Sequence, residues 1–131
     1  MRVFLSYHRD DEAVASAVRQ TLEAEGFEVW DPHGVLPGED AHRAAAKALR
    51  DAQALVVFLS PDAIRSSWLR DEVSYALGEE RFEGRLIPVV VKPVPKIPWI
   101  LGKLPMVQLT PDARSAGKRI VAALRRKPNA A

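Results

Sequence analysis

The run Ala54 to Ser60, ALVVFLS, is apolar without alternation. A strand with one wet face alternates apolar and polar positions, because successive side chains point to opposite faces. An unbroken apolar strand must be covered on both faces, as in a parallel sheet between helices. The neighbouring segments agree. Arg2 to Ser6 (RVFLS), Phe27 to Trp30 (FEVW), Arg85 to Val91 (RLIPVVV) and Met106 to Leu109 (MVQL) also read as strands. Pro88 inside the fourth run predicts a bulge or an edge position.

Helical segments lie between them. DDEAVASAVRQTLEAEG starts at a capping Asp10 or Asp11, turns Val14, Val18 and Leu22 inward, and ends at Gly26. AHRAAAKALRDA is rich in alanine, so it can pack close to a neighbour. Ser66 to Leu77 (SSWLRDEVSYAL) has Leu69, Val73, Ala76 and Leu77 on one stripe, with Trp68 and Glu72 on an adjoining one. Asp112 to Arg126 is the last helix, with Ala116, Ile120, Ala123 and Leu124 inward. The segments Asp31 to Asp40 (DPHGVLPGED) and Lys92 to Pro105 are rich in proline and read as loops. Strands and helices thus alternate, which predicts a parallel sheet with right-handed crossovers and helices on both faces. Ligands of such sheets sit beyond the carboxyl ends of the strands. Those ends are Ser6 to Arg9, Trp30-Asp31, Ser60-Pro61 and Lys92-Pro93.

Length and charge remove several function classes. A chain of 131 residues suits one domain. It has no cysteine, so disulfides and thiolate metal sites are excluded. No run approaches the ~20 apolar residues that cross a bilayer, and there is no signal-peptide pattern. A cytoplasmic location and no membrane partner are therefore expected. With 19 basic and 17 acidic residues, the net charge of +2 gives no reason to expect nucleic acid as a direct partner. His8, His33 and His42 have no metal-ligand spacing, so no metal is expected. Neither GxGxxG nor a Walker A motif is present. A response-regulator receiver shares this architecture, and Asp10-Asp11 and Lys92-Pro93 resemble its acidic pair and Lys-Pro. Its phosphate acceptor is missing, however, because the third strand ends Leu59-Ser60-Pro61.

Glu72 is the carboxylate that stands out. It lies about a turn and a half into a helix whose start follows a strand tip, near where Ser6 and Trp30-Asp31 converge. Together these residues resemble the Toll/interleukin-1 receptor (TIR) domain family, particularly its bacterial members. Phe4-Leu5-Ser6-Tyr7 is similar to the family's first box and Gly34-Val35-Leu36-Pro37-Gly38 to its second. Ser67-Trp68 followed by Glu72 resembles the SWxxxE segment of catalytic members, and Arg85 to Pro95 the fourth strand and its exit. The Phe-Trp third box of animal adaptors is absent; Pro98-Trp99 does not match it. The likeness spans the whole chain, with residues 1–127 as the domain and 128–131 as a tail.

The resemblance implies a flavodoxin-like three-layer α/β sandwich around a five-stranded parallel sheet. It implies an NAD+ glycohydrolase that releases nicotinamide with ADP-ribose or a cyclic isomer, in bacterial defence signalling, with NAD+ as substrate and no cofactor. Glu72 takes the catalytic position. Phe4 and Ser6 line the nicotinamide-ribose pocket, Trp30 and Asp31 adjoin it, and Trp68 packs beside Glu72. Arg9, Arg43 and Lys47 are the candidate pyrophosphate donors. Gly34, Leu36, Pro37 and Gly38 belong to a loop that closes over the ligand and mediates assembly. Other TIR domains and a fused or separate sensor domain are the implied protein partners. A non-enzymatic TIR–TIR interaction module is the alternative. A nucleoside deoxyribosyltransferase or nucleotide N-glycosidase is a third, against which the second-box loop argues.

Overall fold

The computed structural model describes residues 1–31, 40–94, 101, 104, 106–109 and 112–125, with the side chains of Ala41, His42, Ser67 and Trp68 left aside. Strands β1 (Arg2–Ser6), β2 (Glu28–Trp30), β3 (Ala54–Leu59), β4 (Leu86–Val90) and β5 (Val107–Gln108) form one parallel sheet. Their order is β2-β1-β3-β4-β5, so the central β3 is the predicted unbroken apolar run, buried at every position. The helices are α1 (Glu12–Ala24), α2 (Ala41–Asp51), α3 (Pro61–Arg65), α4 (Ser67–Leu77) and α5 (Ala113–Arg125). Among the described residues, no helix is long and apolar enough to cross a membrane.

Alternation along the strands divides the core into two layers. Val3, Leu5, Val56, Phe58, Ile87 and Val89 meet α1 and α5 through Val18, Leu22, Ile120 and Leu124. Phe4, Leu55, Val57 and Leu59 meet α2 and α4 through Leu49, Leu69, Val73 and Ala76. Pro88 pairs in register with Val57, while β5 begins opposite Val89. Val91 N–H donates toward β3, to Leu59, and Val90 C=O accepts from Leu109 on the β5 side. By alternation, the Pro88 nitrogen points to the β5 side just before that strand begins. The expected bulge or edge strand is thus not found; the proline is tolerated in an interior strand because no ladder partner stands opposite its nitrogen.

One local reading needs correction, and one element was not anticipated. The expected helix forms as α4, but a short helix not read from the sequence, α3, stands between it and β3. Pro61 is pre-shaped for a helix start, and Ser60 Oγ accepts from Ala63 N–H at 3.3 Å, so α3 begins at the strand's end. Ser66 is then extended (φ −79°, ψ 138°) and its hydroxyl donates back to Ala63 C=O at 2.5 Å, so it does not cap α4 with its side chain. The start of α1 also differs. Asp11 precedes α1 without a capping hydrogen bond, and His8 Nδ1 instead accepts from Asp10 N–H, ahead of the 3₁₀ turn Arg9–Asp11. Gly26 ends α1 as predicted, at φ 92°, a backbone that L side chains rarely adopt.

Helices α1 and α5 approach closely at one point. A Cβ at Gly117 would lie 2.9 Å from Thr21 Cβ and Cγ2. Thr21 is branched at Cβ and cannot swing away. Gly117→Val should therefore destabilise the fold by about 1–3 kcal/mol through overpacking. Urea unfolding checks this as a lower midpoint with an unchanged slope.

Candidate functional site

Glu72 and Ser6 reach the same layer from opposite elements. On β1, Val3, Leu5 and Tyr7 face α1 and α5, so Phe4 and Ser6 face α2 and α4. Ser6 is the last residue of its strand and is 1% exposed. On α4, Glu72 follows the buried Leu69 by three residues and precedes the buried Val73, which holds it at the margin of the inward stripe. Ser6 Oγ and Glu72 Oε2 are both buried, and neither completes a hydrogen bond among the described residues. The two are close enough for the Ser6 hydroxyl to favour the ionised carboxyl, but no well-formed hydrogen bond joins them, which leaves both with capacity for a ligand or water.

The carboxyl is strongly perturbed. Burial pushes the Glu72 pKa up to about 7; the nearby Ser6 hydroxyl acts in the opposite direction, and Asp71 adds a smaller upward push. An acid whose pKa burial moves close to neutral pH is a candidate functional group. This carboxyl can ionise when a positive charge arrives and can accept hydroxyl hydrogen bonds at Oε2.

The other expected residues separate into groups. Phe4 is wholly buried and stacks on Trp30, with ring centroids 4.8 Å apart at 19°. Its place is thus beneath the half-buried Trp30, which borders a hollow with Arg2, Ala48 and Asp51 near the amino ends of β1 and β2. Asp31 turns to the opposite layer, because alternation past Trp30 reverses it. Its Oδ1 accepts from Tyr7 OH at 2.5 Å and its Oδ2 faces Arg19 Nη1 at 3.3 Å, so the expected ligand contact becomes a tie between β1, β2 and α1. Burial first, then this carboxylate, raise the Tyr7 pKa, so the hydroxyl stays protonated and donates. Arg9 is exposed beyond the β1 tip; Arg43 and Lys47 are exposed on α2, one turn apart. The structure does not bring these three together with Glu72 in one cluster. Trp68 lies in the first turn of α4, and its side chain is outside the described residues, as are Gly34, Leu36, Pro37 and Gly38.

Arg81 was not anticipated from the sequence. Its Nε donates to Ala52 C=O at 3.0 Å and its Nη2 to Leu49 C=O at 3.1 Å and Tyr75 OH at 2.9 Å. The guanidinium also lies 4.6 Å from the centre of the Phe82 ring. It therefore closes the end of α2 and pins α4 one turn beyond Glu72. Nothing in ERFEG singles this arginine out, because its partners are mainly backbone carbonyls. A hollow of about 300 Å³ lies at this end of α4, between Ala76, Glu79 and Leu86. Neither Ser6 nor Glu72 lines it, so it is separate from the candidate site.

Comparison with known proteins agrees with this architecture. A family model described as TIR domain matches residues 3–124. The disease resistance protein RML1A of Arabidopsis thaliana is 29% identical over 91 residues, covering 68% of this chain and 9% of that protein. A metazoan TIR-STING receptor from C. gigas, solved with 2′,3′-cGAMP, superposes with a TM-score of 0.77 at 25% identity, over 95% of this chain and 39% of the receptor. The TIR domain of the Toll-related receptor TRR-2 from Hydra magnipapillata superposes with a TM-score of 0.73 at 20% identity, over 92% of this chain and 94% of that one. The chain thus spans only a part of the first two proteins.

Proposed function

The chain belongs to the TIR-domain family, and on that premise we propose that it is an NAD+ glycohydrolase in which Glu72 stabilises the transition state. The observation that carries this reading is the buried, unpartnered Glu72 oxygen in the layer of Ser6, at the carboxyl edge of the sheet. The substrate's chemistry needs little more. Nicotinamide leaves as a neutral ring, taking the electron pair of the C–N bond, so no acid must protonate it. The cost lies in the positive charge that develops on the ribose. Glycosidases meet the same charge with a carboxylate. Ionised Glu72 supplies it, while Glu72 Oε2 and Ser6 Oγ accept hydrogen bonds from ribose hydroxyls. Water then forms the new C–O bond and releases a proton, giving ADP-ribose; attack by the adenine would instead give a cyclic isomer.

Self-assembly fits the same molecule. An apolar hollow of about 250 Å³ runs along α4 between Ile64, Leu69, Val73, Leu77 and Leu101, and Leu77 is 42% exposed. This face supports TIR–TIR contact as the means of control. It is also the observation that favours the second reading, an interaction module in signalling without chemistry. The test that separates the two is nicotinamide release from NAD+ by a concentrated sample. Release that Glu72→Ala abolishes supports the enzyme; equal release by a folded Glu72→Ala protein overturns it.

The elevated pKa sets the pH dependence. The carboxylate is the active form, so kcat/KM should rise about tenfold per pH unit below pH 7 and level off above it. Initial rates of nicotinamide release between pH 5 and 9 check this.

A further inference from the structure

Leu77 differs from the other apolar residues on its stripe of α4. It is 42% exposed, while Leu69, Val73 and Ala76 are buried. It stands between two hollows, the one along α4 toward Leu101 and the one at the helix end beside Phe82 and Leu86. The apolar strip therefore continues past the helix end, with Leu77 as its exposed point. Acidic side chains border the second hollow. Glu79 is held by Arg81, while Glu80 and Glu83 are exposed. A continuous apolar strip with a polar rim is the pattern of a contact site, unlike a leucine scattered singly on a surface.

The opposite side of the sheet carries the reverse pattern. A hollow of about 370 Å³ lies between α1 and α5. Small side chains of α1 line it, Ala17, Thr21 and Ala24, and Arg114 and Lys118 border it one turn apart on α5, both exposed. The Glu25 carboxylate there is already paired with Arg125. Each surface suits the other better than a copy of itself. Two Leu77 surfaces laid together would set carboxylates against carboxylates, and two α1–α5 hollows would set cations against cations. Like charges so placed repel, whereas the unlike surfaces attract.

We propose that a second copy of this chain docks on the Leu77 surface through its α1–α5 hollow, with Leu77 entering the hollow and Glu80 and Glu83 facing Arg114 and Lys118. The inference rests on TIR–TIR contact as the means of control, and it names the two surfaces that meet. Helix α4 covers one face of the sheet, and α1 and α5 cover the other. One contact therefore leaves an unlike surface free on each chain. The contact is head-to-tail and repeats, as a closed ring or an open row of chains. Exposed ion pairs are individually weak and screened by salt, so the association grows with concentration and fades at high ionic strength.

The test follows the mass of the whole chain by light scattering without NAD+, so its outcome is independent of the glycohydrolase reading. The mean mass should rise as the protein is concentrated to about 1 mM in low salt, and fall back as salt is added. Lys118→Glu and Glu83→Lys should each weaken association at least ~10-fold, and the two changes combined in one chain should restore it. Leu77→Asp should abolish self-association. An equal mixture of Leu77→Asp and Lys118→Glu chains should nevertheless form a two-chain complex and nothing larger, since each supplies the surface that the other lacks. If Leu77→Asp does not fold, the exposed charge variants decide the matter. A wild type that stays monomeric when concentrated overturns the proposal, and control by self-contact with it, but leaves NAD+ cleavage untouched. Assembly that Lys118→Glu and Glu83→Lys leave intact overturns this pairing of surfaces alone.

Discussion

Glu72→Gln should fold, gain stability above pH 7, and lose NAD+ cleavage by at least ~10²-fold. The loss follows from the charge. Gln keeps the shape and the accepting oxygen but cannot offset a cation on the ribose, and removing one such stabiliser costs about 10²–10³ in rate. The gain follows from linkage. The folded Glu72 carboxyl has a pKa of about 7, against 4.5 for the free side chain. Between those values the folded chain holds a proton that the unfolded chain releases, so stability falls as pH rises through that window. Above pH 7 the accumulated penalty amounts to up to about 3 kcal/mol. Glutamine never ionises and escapes it. Urea unfolding at pH 5 and pH 8 should show wild type and variant close together at the lower pH and separated at the higher. Equal stabilities at pH 8 would mean that the carboxylate is well solvated, and the electrostatic reading of the site would fail with it.

Phe4→Ala should cost about 3–5 kcal/mol, the range for emptying a large buried aromatic site. Phe4 is wholly buried, in a layer walled by Leu55, Val57, Leu49 and Leu69. The central sheet cannot collapse to fill the space, because Phe4 pairs in register with Trp30 on one side and Leu55 on the other. Its stacking on Trp30 adds about 0.5–1.5 kcal/mol beyond area burial. Against a typical total stability of about 5–15 kcal/mol, this one side chain decides whether the domain folds at 37 °C. Phe4→Leu keeps most of the volume and should cost less than about 1.5 kcal/mol. Thermal melts of the pair distinguish packing from any ligand contact. A small loss in Phe4→Ala would mean that the ring is not packed in the core.

The sheet was legible because its strands are unbroken apolar runs, and its helices because their apolar residues recur at helical spacing. Glu72 was legible too, as a carboxylate at the margin of such a stripe near a strand tip. Other features were hidden for identifiable reasons. Asp31 was expected beside Trp30, but consecutive residues on an extended chain face opposite layers, and that alternation sends it to Tyr7 and Arg19. The short helix α3, capped by Ser60 and closed by the Ser66 hydroxyl bonding back to Ala63, is not announced by a proline and a few serines. Arg81 acts through carbonyls at the end of α2. Such partnerships are written in topology, and spacing along the chain does not carry them.

The sheet's two outermost members are very short, three residues in β2 and two in β5. Little unpaired backbone is left at either margin for another chain to extend by strand addition. Among the described residues, the surfaces open to association between copies are therefore side-chain faces, which separate again without tearing main-chain ladders. Short margins of this kind lower the risk that crowded copies will pair edge to edge.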